Sequence, residues 1–225
     1  MEASLEAPAA TALGSSMISE GLPLASKRMT EEEFEAWCDE DVAAEYVDGE
    51  VIVHSPVRVR HSELAIFLAT VIKLVAEQEQ AGLVLGPEVQ ARLRTGLRRI
   101  PDVMFISRAR AHIVLETRVE GAPDIAIEIV SPDSVERDWQ KKYLEYQSAG
   151  LREYWIVDPQ YQQVRVYVLG ANGLYKDLDV IEGWLRSSVL PGFAVKTEWL
   201  WRDPMPTTFS VAHELGLLPA EPPSA

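Results

Sequence analysis

Three residues of this 225-residue sequence have the type and setting to do chemistry: Asp102, Glu128 and Lys142. Asp102 follows a proline at the head of an apolar run, "IPDVMFIS", and Glu128 lies inside another, "PDIAIEIVSP". A lone ionised carboxylate in an apolar strand is costly unless something pairs with it. Side chains alternate along a strand, so Asp124, Ala126, Glu128 and Val130 share one face and Ile125, Ile127 and Ile129 the other. The isoleucine face belongs to the core, and the Glu128 face must look onto something polar or onto a cleft. Asp102 shares a face with Met104 and Ile106. If the two strands are neighbours, Asp102 and Glu128 converge at one end of a sheet. Converging carboxylates repel unless a cation lies between them, and oxygen-only ligation suits Mg²⁺ or Mn²⁺. A Pro-Asp pair is also an ordinary way to begin a strand. That reading is preferred for Asp124 and evenly balanced for Asp102, whereas Glu128, deep in its strand, is assigned a functional role.

The segment after Glu128 supplies a cation. Within "PDSVERDWQKKYLEYQSAG", Asp138 and Lys142 are four apart and share a helix face. Trp139, Tyr143 and Tyr146 form an apolar stripe with Lys142 at its border. Lys141 lies one step further around the helix, so only one of the two lysines can point the same way. Other chemistries have less support. His54, His61, His112 and His213 show no zinc spacing, and Cys38 lies among acids that disfavour a thiolate. No nucleophile elbow, P-loop or dinucleotide fingerprint occurs.

These residues need elements to hold them. Thr30 with Glu33 is a capping-box start for a short helix. "EYVDGEVIVH" predicts a hairpin turning at Asp48-Gly49. Leu64, Phe67, Leu68, Val71, Leu74 and Val75 recur at helical spacing in the best helix of the chain. "LVLGPEVQARLR" reads as strand material, "IPDVMFISR" as a strand, and residues 108–121 as a polar connection. The next strand, "DIAIEIVSP", leads to a helix with Asp133 as N-cap and Gly150 as stop, then to "EYWIVDP". That order predicts a crossover between parallel strands. "QVRVYVLG" and "GLYKDLDV" follow. The fold class is α/β or α+β, a mixed β-sheet flanked by helices. Residues 1–27 are expected to be a disordered extension, residues 28–203 one domain, and residues 204–225 a tail.

The net charge of −14 argues on its face against a polyanionic partner. Its distribution softens that, because residues 1–50 hold 13 acids against 2 bases, whereas residues 51–110 hold 9 bases against 5 acids. The arginines of the second stretch read first as a solvated strand face, and secondarily as a weak phosphate-contacting surface. The single cysteine excludes a disulfide framework, and with no spanning apolar run and no secretory pattern the expected location is cytoplasmic.

"EYVDGEVIVHSP", the helix led by His61, "PDVMFIS" and "PDIAIEIVSPDSVERDWQKKYLEYQSAGLREYWIVDP" together resemble the Uma-two family of restriction-endonuclease-like proteins, within the PD-(D/E)xK nuclease superfamily. The resemblance covers roughly residues 28–200, and the run from Pro123 to Pro159 is its most specific part. It implies a restriction-endonuclease-like fold and Mg²⁺-dependent hydrolysis of phosphodiester bonds in DNA. Asp102, Glu128 and the Ile129 carbonyl are then the metal ligands, and Asp102, Glu128 and Lys142 the catalytic set. The superfamily lysine stands two residues after the second acid, where this chain has Val130, so Lys142 on the following helix takes its place. Glu45 resembles an additional family acid, with a hairpin surface residue as the alternative. His61 matches a recurrent family position or is a surface histidine. The partner is a nucleic acid, DNA before RNA, with no membrane. Homo-oligomerisation is expected through an edge formed by "EYWIVDP" or "VRVYVLG". The competing reading is a non-catalytic interaction or regulatory protein with a vestigial site.

Overall fold

The computed structural model describes residues 28–39, 42–54, 56–132 and 134–218. The expected extension at residues 1–27 and the Asp133 cap lie outside the described residues. In chain order the elements are α1 (Glu31–Trp37), β1 (Ala44–Val47), β2 (Glu50–Val53), α2 (Val59–Gln78), β3 (Gly82–Leu85), β4 (Gln90–Arg94), β5 (Leu97–Arg99) and β6 (Val103–Ser107). There follow β7 (Arg118–Glu120), β8 (Ile125–Ile129), α3 (Lys142–Ser148), β9 (Glu153–Asp158), β10 (Gln163–Leu169), β11 (Tyr175–Asp177), β12 (Trp184–Arg186), β13 (Ala194–Lys196) and α4 (Thr208–Glu214). The fold is α+β, with mixed sheets flanked by helices.

The larger sheet runs β11-β10-β9-β8-β6-β3, and the smaller runs β2-β1-β5-β4-β7. The expected crossover is present: β8 and β9 pair in parallel, Ile125 beside Glu153 and Ile129 beside Val157, with α3 between them in sequence. Gly150 ends that helical segment at φ +78°, in the left-handed region. The hairpin is also as expected, with Asp48 and Gly49 both at positive φ between β1 and β2.

Four features differ from the sequence reading. The stretch Leu83–Arg94 divides around Gly86-Pro87, so β3 joins the larger sheet and β4 the smaller. Gly82 lets β3 lie tight against β6, because a Cβ there would come within 2.1 Å of the Ile106 carbonyl oxygen. The polar connection at 108–121 contains a 3₁₀ turn and β7. In the stretch expected to be a tail, α4 buries Val211 against the core that includes α2. Finally, β9 and β10 are interior strands, so neither supplies the expected free edge; the outer strands of that sheet are β3 and β11.

Both faces of the larger sheet are buried. Ile125, Ile127 and Ile129 pack with Leu64, Leu68 and Ile72 of α2. Met104, Ile106, Ala126 and Val130 pack on the other side with Tyr146 and Tyr154. The Glu128 face is therefore a second core with a polar end, rather than a solvent-facing side.

Arg92, Arg94 and Arg98 are tied to acids of α1 and the hairpin instead of forming a free surface. Glu31 accepts from Arg92 and Arg98, at 2.6 and 2.9 Å, and from the Gly96 amide. Arg98 also pairs with Glu35, and Arg94 with Asp48. The Arg92 hydrogen bond, against the opposing cost of burial and with help from Gly96 and Arg98, holds the Glu31 carboxyl down at about 2. A depressed acid stabilises the fold above its unfolded value of 4.5, and that contribution is lost as pH falls from 4.5 through about 2. Glu31→Gln is expected to lower unfolding free energy by about 1–2 kcal/mol at neutral pH, the full linkage being discounted for solvent screening. In urea titrations the gap from wild type should narrow as pH falls below 4.5; a gap independent of pH contradicts the assignment.

Candidate active site

β6 and β8 are antiparallel, with Val103 opposite Ile127 and Met104 opposite Ala126. One further step along this ladder sets Asp102 across from Glu128. Both carboxylates line one cavity of about 250 Å³, together with Ile129, Lys142, Asp138 and Arg137. Alternation and strand pairing thus bring Asp102, Glu128 and Lys142 together as their spacing suggests.

Asp102 is held from both sides. Its Oδ1 lies 2.8 Å from His61 Nε2, and its Oδ2 accepts the Ile129 amide at 2.7 Å. An ionised carboxylate only accepts, so Nε2 of His61 carries the proton. His61 is therefore no free surface histidine: it is buried, and its Nδ1 has no hydrogen-bond partner among the described residues.

Glu128 is 3% exposed. Its Oε1 accepts from the Tyr146 hydroxyl at 2.7 Å, and its Oε2 lies 2.8 Å from Lys142 Nζ. Burial raises the carboxyl most, the Lys142 ammonium opposes it, and Asp138, Asp102 and Glu45 add to the rise, which together bring it to about 8. For Lys142, burial alone favours the neutral amine, but Glu128, Glu45 and Asp138 outweigh it and hold the ammonium well above the ordinary lysine range.

A π-helical turn at Arg137–Lys141 delivers that lysine, with the Lys142 amide reaching back to the Arg137 carbonyl. Such turns insert an extra residue and often accompany functional sites. Here Lys141 faces solvent while Lys142 is buried, 3.3 Å from Asp138 Oδ1 and 3.5 Å from Glu45 Oε1. Asp138 also accepts from Ser134, and its Oδ1 is buried without a hydrogen bond.

Glu45 is fully buried and stands behind Lys142 rather than on the cavity wall, so the hairpin-surface alternative is excluded. Its Oε2 accepts from Arg99 at 2.8 Å and its Oε1 from the Ile100 amide at 3.1 Å. Arg99, 1% exposed, reaches the other way to both oxygens of Glu145 at 2.7 and 2.8 Å.

Sequence spacing does not single out Arg99 or Tyr146. Arg99 reads as one more arginine of a solvated strand, and β5 is hidden behind a basic turn. Tyr146 reads as part of an apolar stripe, although its place four residues after Lys142 is a signal that it shares the lysine's face.

Among the described residues no three His, Cys, Asp or Glu side chains form a ready-made metal group. The donors present are nevertheless of the right kind for a hard divalent cation. Three carboxylates, Asp102, Glu128 and Asp138, line one cavity, and Asp138 Oδ1 makes no hydrogen bond there, though the Lys142 ammonium lies 3.3 Å from it. Mg²⁺ is commonly held by one or two carboxylates, with water and substrate phosphate completing its shell.

A family model described as "Uma2: Putative restriction endonuclease" matches residues 31–198. Among solved structures, the chain is similar to "a putative nuclease belonging to DUF820" from Anabaena variabilis ATCC 29413. The identity is 22%, the TM-score is 0.64, and the match covers 77% of this chain and 97% of that one. At that identity the likeness speaks for the fold alone. No curated protein matches the chain. Among the described residues no helix is long and apolar enough to cross a membrane.

Proposed function

The chain belongs to the Uma2 family, and from that premise we propose that it is a Mg²⁺- or Mn²⁺-dependent endonuclease that hydrolyses phosphodiester bonds in DNA. The observation that carries this reading is the convergence of Asp102, Glu128 and Lys142 on one cavity from two paired strands and the helical segment after them. Asp102 and Glu128, with the Ile129 carbonyl, would hold the cation. When bound, the cation would polarise the phosphate and lower the pKa of the attacking water.

The chain's own residues do the rest. His61 and the Ile129 amide fix both oxygens of Asp102, so this carboxylate needs no reorientation. Tyr146 does the same for one oxygen of Glu128. Lys142, locked among Glu128, Asp138 and Glu45, keeps a positive charge beside the carboxylates. There it orients the water or stabilises negative charge growing on the phosphoryl oxygens. Glu45, clamped by Arg99, holds the lysine in place from behind.

A second reading has its own support. The oxygens of Asp102 and one of Glu128 are already occupied by protein hydrogen bonds, as in a vestigial site that serves only the fold. Two measurements separate the readings. Calorimetric titration with Mg²⁺ and Mn²⁺ should give heat with wild type and little with Asp102→Asn. Plasmid and single-stranded DNA should be cut with either metal by wild type, with Glu128→Ala slower by about 10²-fold or more. Absence of both metal heat and cleavage favours the vestigial site.

A further inference from the structure

Among the described residues, four buried side-chain atoms make no hydrogen bond to the protein: His54 Nε2, His61 Nδ1, Arg137 Nε and Asp138 Oδ1. All four residues line the carboxylate cavity. A buried polar group without a partner is costly, and a cluster of them in one wall points to a ligand that completes their bonding. Of the four, Arg137 is the one with a fixed positive charge, and its guanidinium can only donate. We propose that Arg137 is a substrate-binding residue whose guanidinium takes a non-bridging oxygen of the phosphodiester seated at Asp102 and Glu128. The inference rests on the nuclease reading and adds to it an anchor for the charge of the phosphate itself.

No acid of the wall consumes this arginine. Among the described residues, the one carboxylate within 4.0 Å of its guanidinium is Asp138, whose Oδ1 is 4.0 Å from Nε and outside hydrogen-bond reach. That oxygen lies closer to Lys142 Nζ, at 3.3 Å, and the other oxygen of Asp138 accepts from Ser134. Asp102 is held by His61 and the Ile129 amide, and Glu128 by Tyr146 and Lys142. Each acid thus has its partners without Arg137. The contrast is Arg99, whose charge is taken up by Glu45 and Glu145. Arg137 is also accessible: its side chain is 27% exposed while its Nε is buried, so it reaches into the wall and stays open to a ligand arriving from solvent. A phosphodiester entering this cavity meets three carboxylates, and a planar donor fork on the same wall offsets their repulsion with the geometry that phosphate oxygens fit.

The backbone delivers Arg137 by the device that delivers Lys142. In an α-helix, residues five apart point about 140° away from one another, so one of this pair would turn from the cavity. The π turn, closed by the Lys142 amide on the Arg137 carbonyl, brings both into one wall. A single inserted residue therefore sets an ammonium among the acids and a guanidinium beside them.

The test compares wild type, Arg137→Gln and Arg137→Lys as full chains with Mg²⁺ on a labelled DNA oligonucleotide. Arg137→Gln is expected to lower kcat/KM about 10- to 100-fold, the loss of a charge-assisted hydrogen bond. Its thermal midpoint should stay within about 2 °C of wild type. Arg137→Lys, which keeps a charge but lacks Nε, should recover part of the loss. The deciding probe is an oligonucleotide with a neutral methylphosphonate at the mapped cut position, used as a competitor. It should inhibit wild type and Arg137→Gln equally, because the charge that the guanidinium takes is gone. If this competitor loses as much affinity for Arg137→Gln as the substrate loses in kcat/KM, the arginine acts elsewhere and the proposal is overturned. Weaker calorimetric Mg²⁺ binding by Arg137→Gln also overturns it, since removing a cation from this wall should leave the metal bound as tightly or more tightly. Equal kcat/KM for Arg137→Gln and a cutting wild type overturns the assignment and leaves the nuclease reading intact. If wild type cuts with neither Mg²⁺ nor Mn²⁺, both fall.

Discussion

Replacing Lys142 with alanine is expected to lower phosphodiester cleavage by on the order of 10²–10³-fold in kcat while metal binding persists. The reason lies in the company the lysine keeps. Its ammonium is 2.8 Å from Glu128, 3.3 Å from Asp138 and 3.5 Å from Glu45, and all four side chains are nearly or fully buried. Without it three carboxylates share a low-dielectric space with no ammonium among them. Breaking a buried charge group in this way typically costs about 3–5 kcal/mol of stability. A divalent cation relieves the same repulsion, so Mg²⁺ should raise the thermal midpoint of Lys142→Ala more than that of wild type. Lys142→Met, which keeps the aliphatic stem, separates lost packing from lost charge and should show the same kinetic defect. Full cleavage activity in Lys142→Ala removes the lysine from the catalytic set.

Arg99→Met is expected to destabilise the fold by about 3–5 kcal/mol. Arg99 is buried between Glu45 on one side and both oxygens of Glu145 on the other. Methionine fills much of the space but leaves Glu45 with the Lys142 ammonium, and Glu145, among the described residues, without an ion pair. Glu145 is partly exposed and can be rehydrated, whereas Glu45 cannot. Adding Glu45→Gln to Arg99→Met should therefore recover part of the loss, and adding Glu145→Gln less. Denaturant midpoints read the effect directly. A change below about 1 kcal/mol in Arg99→Met would mean the clamp contributes no more than a surface pair. Because Glu45 also braces Lys142, Arg99→Met should depress activity even at temperatures where it stays folded.

The two effects differ in how visible their causes are in the sequence. Asp102, Glu128 and Lys142 are legible because each breaks a local pattern: an acid inside an apolar strand, an acid heading another, and a lysine at the edge of an aromatic stripe. The hairpin, the long helix and the β8-to-β9 crossover are legible for a related reason, since their signals are periodic and lie within one element. Arg99 breaks no pattern, and its partners lie 54 and 46 residues away. The same holds for the arginines of β4 and β5, which the sequence offers as a solvated face and the fold spends on the acids of α1 and the hairpin.

By itself, then, the sequence determined the strand face of each acid, because alternation sets Asp102 with Met104 and Ile106, and Glu128 with Ala126 and Val130. The pairing of β6 with β8 is what brings the two acids together. Only the tertiary structure decided what surrounds them. Sheet order placed β9 and β10 inside rather than at an edge. Burial of both sheet faces left Glu128 on the wall of a small cavity rather than in an open cleft, held by Tyr146 and Lys142. A single π turn chose Lys142 over Lys141. Each of these depends on contacts between segments far apart in the chain, where pairing is set by packing and charge compensation that no local period records.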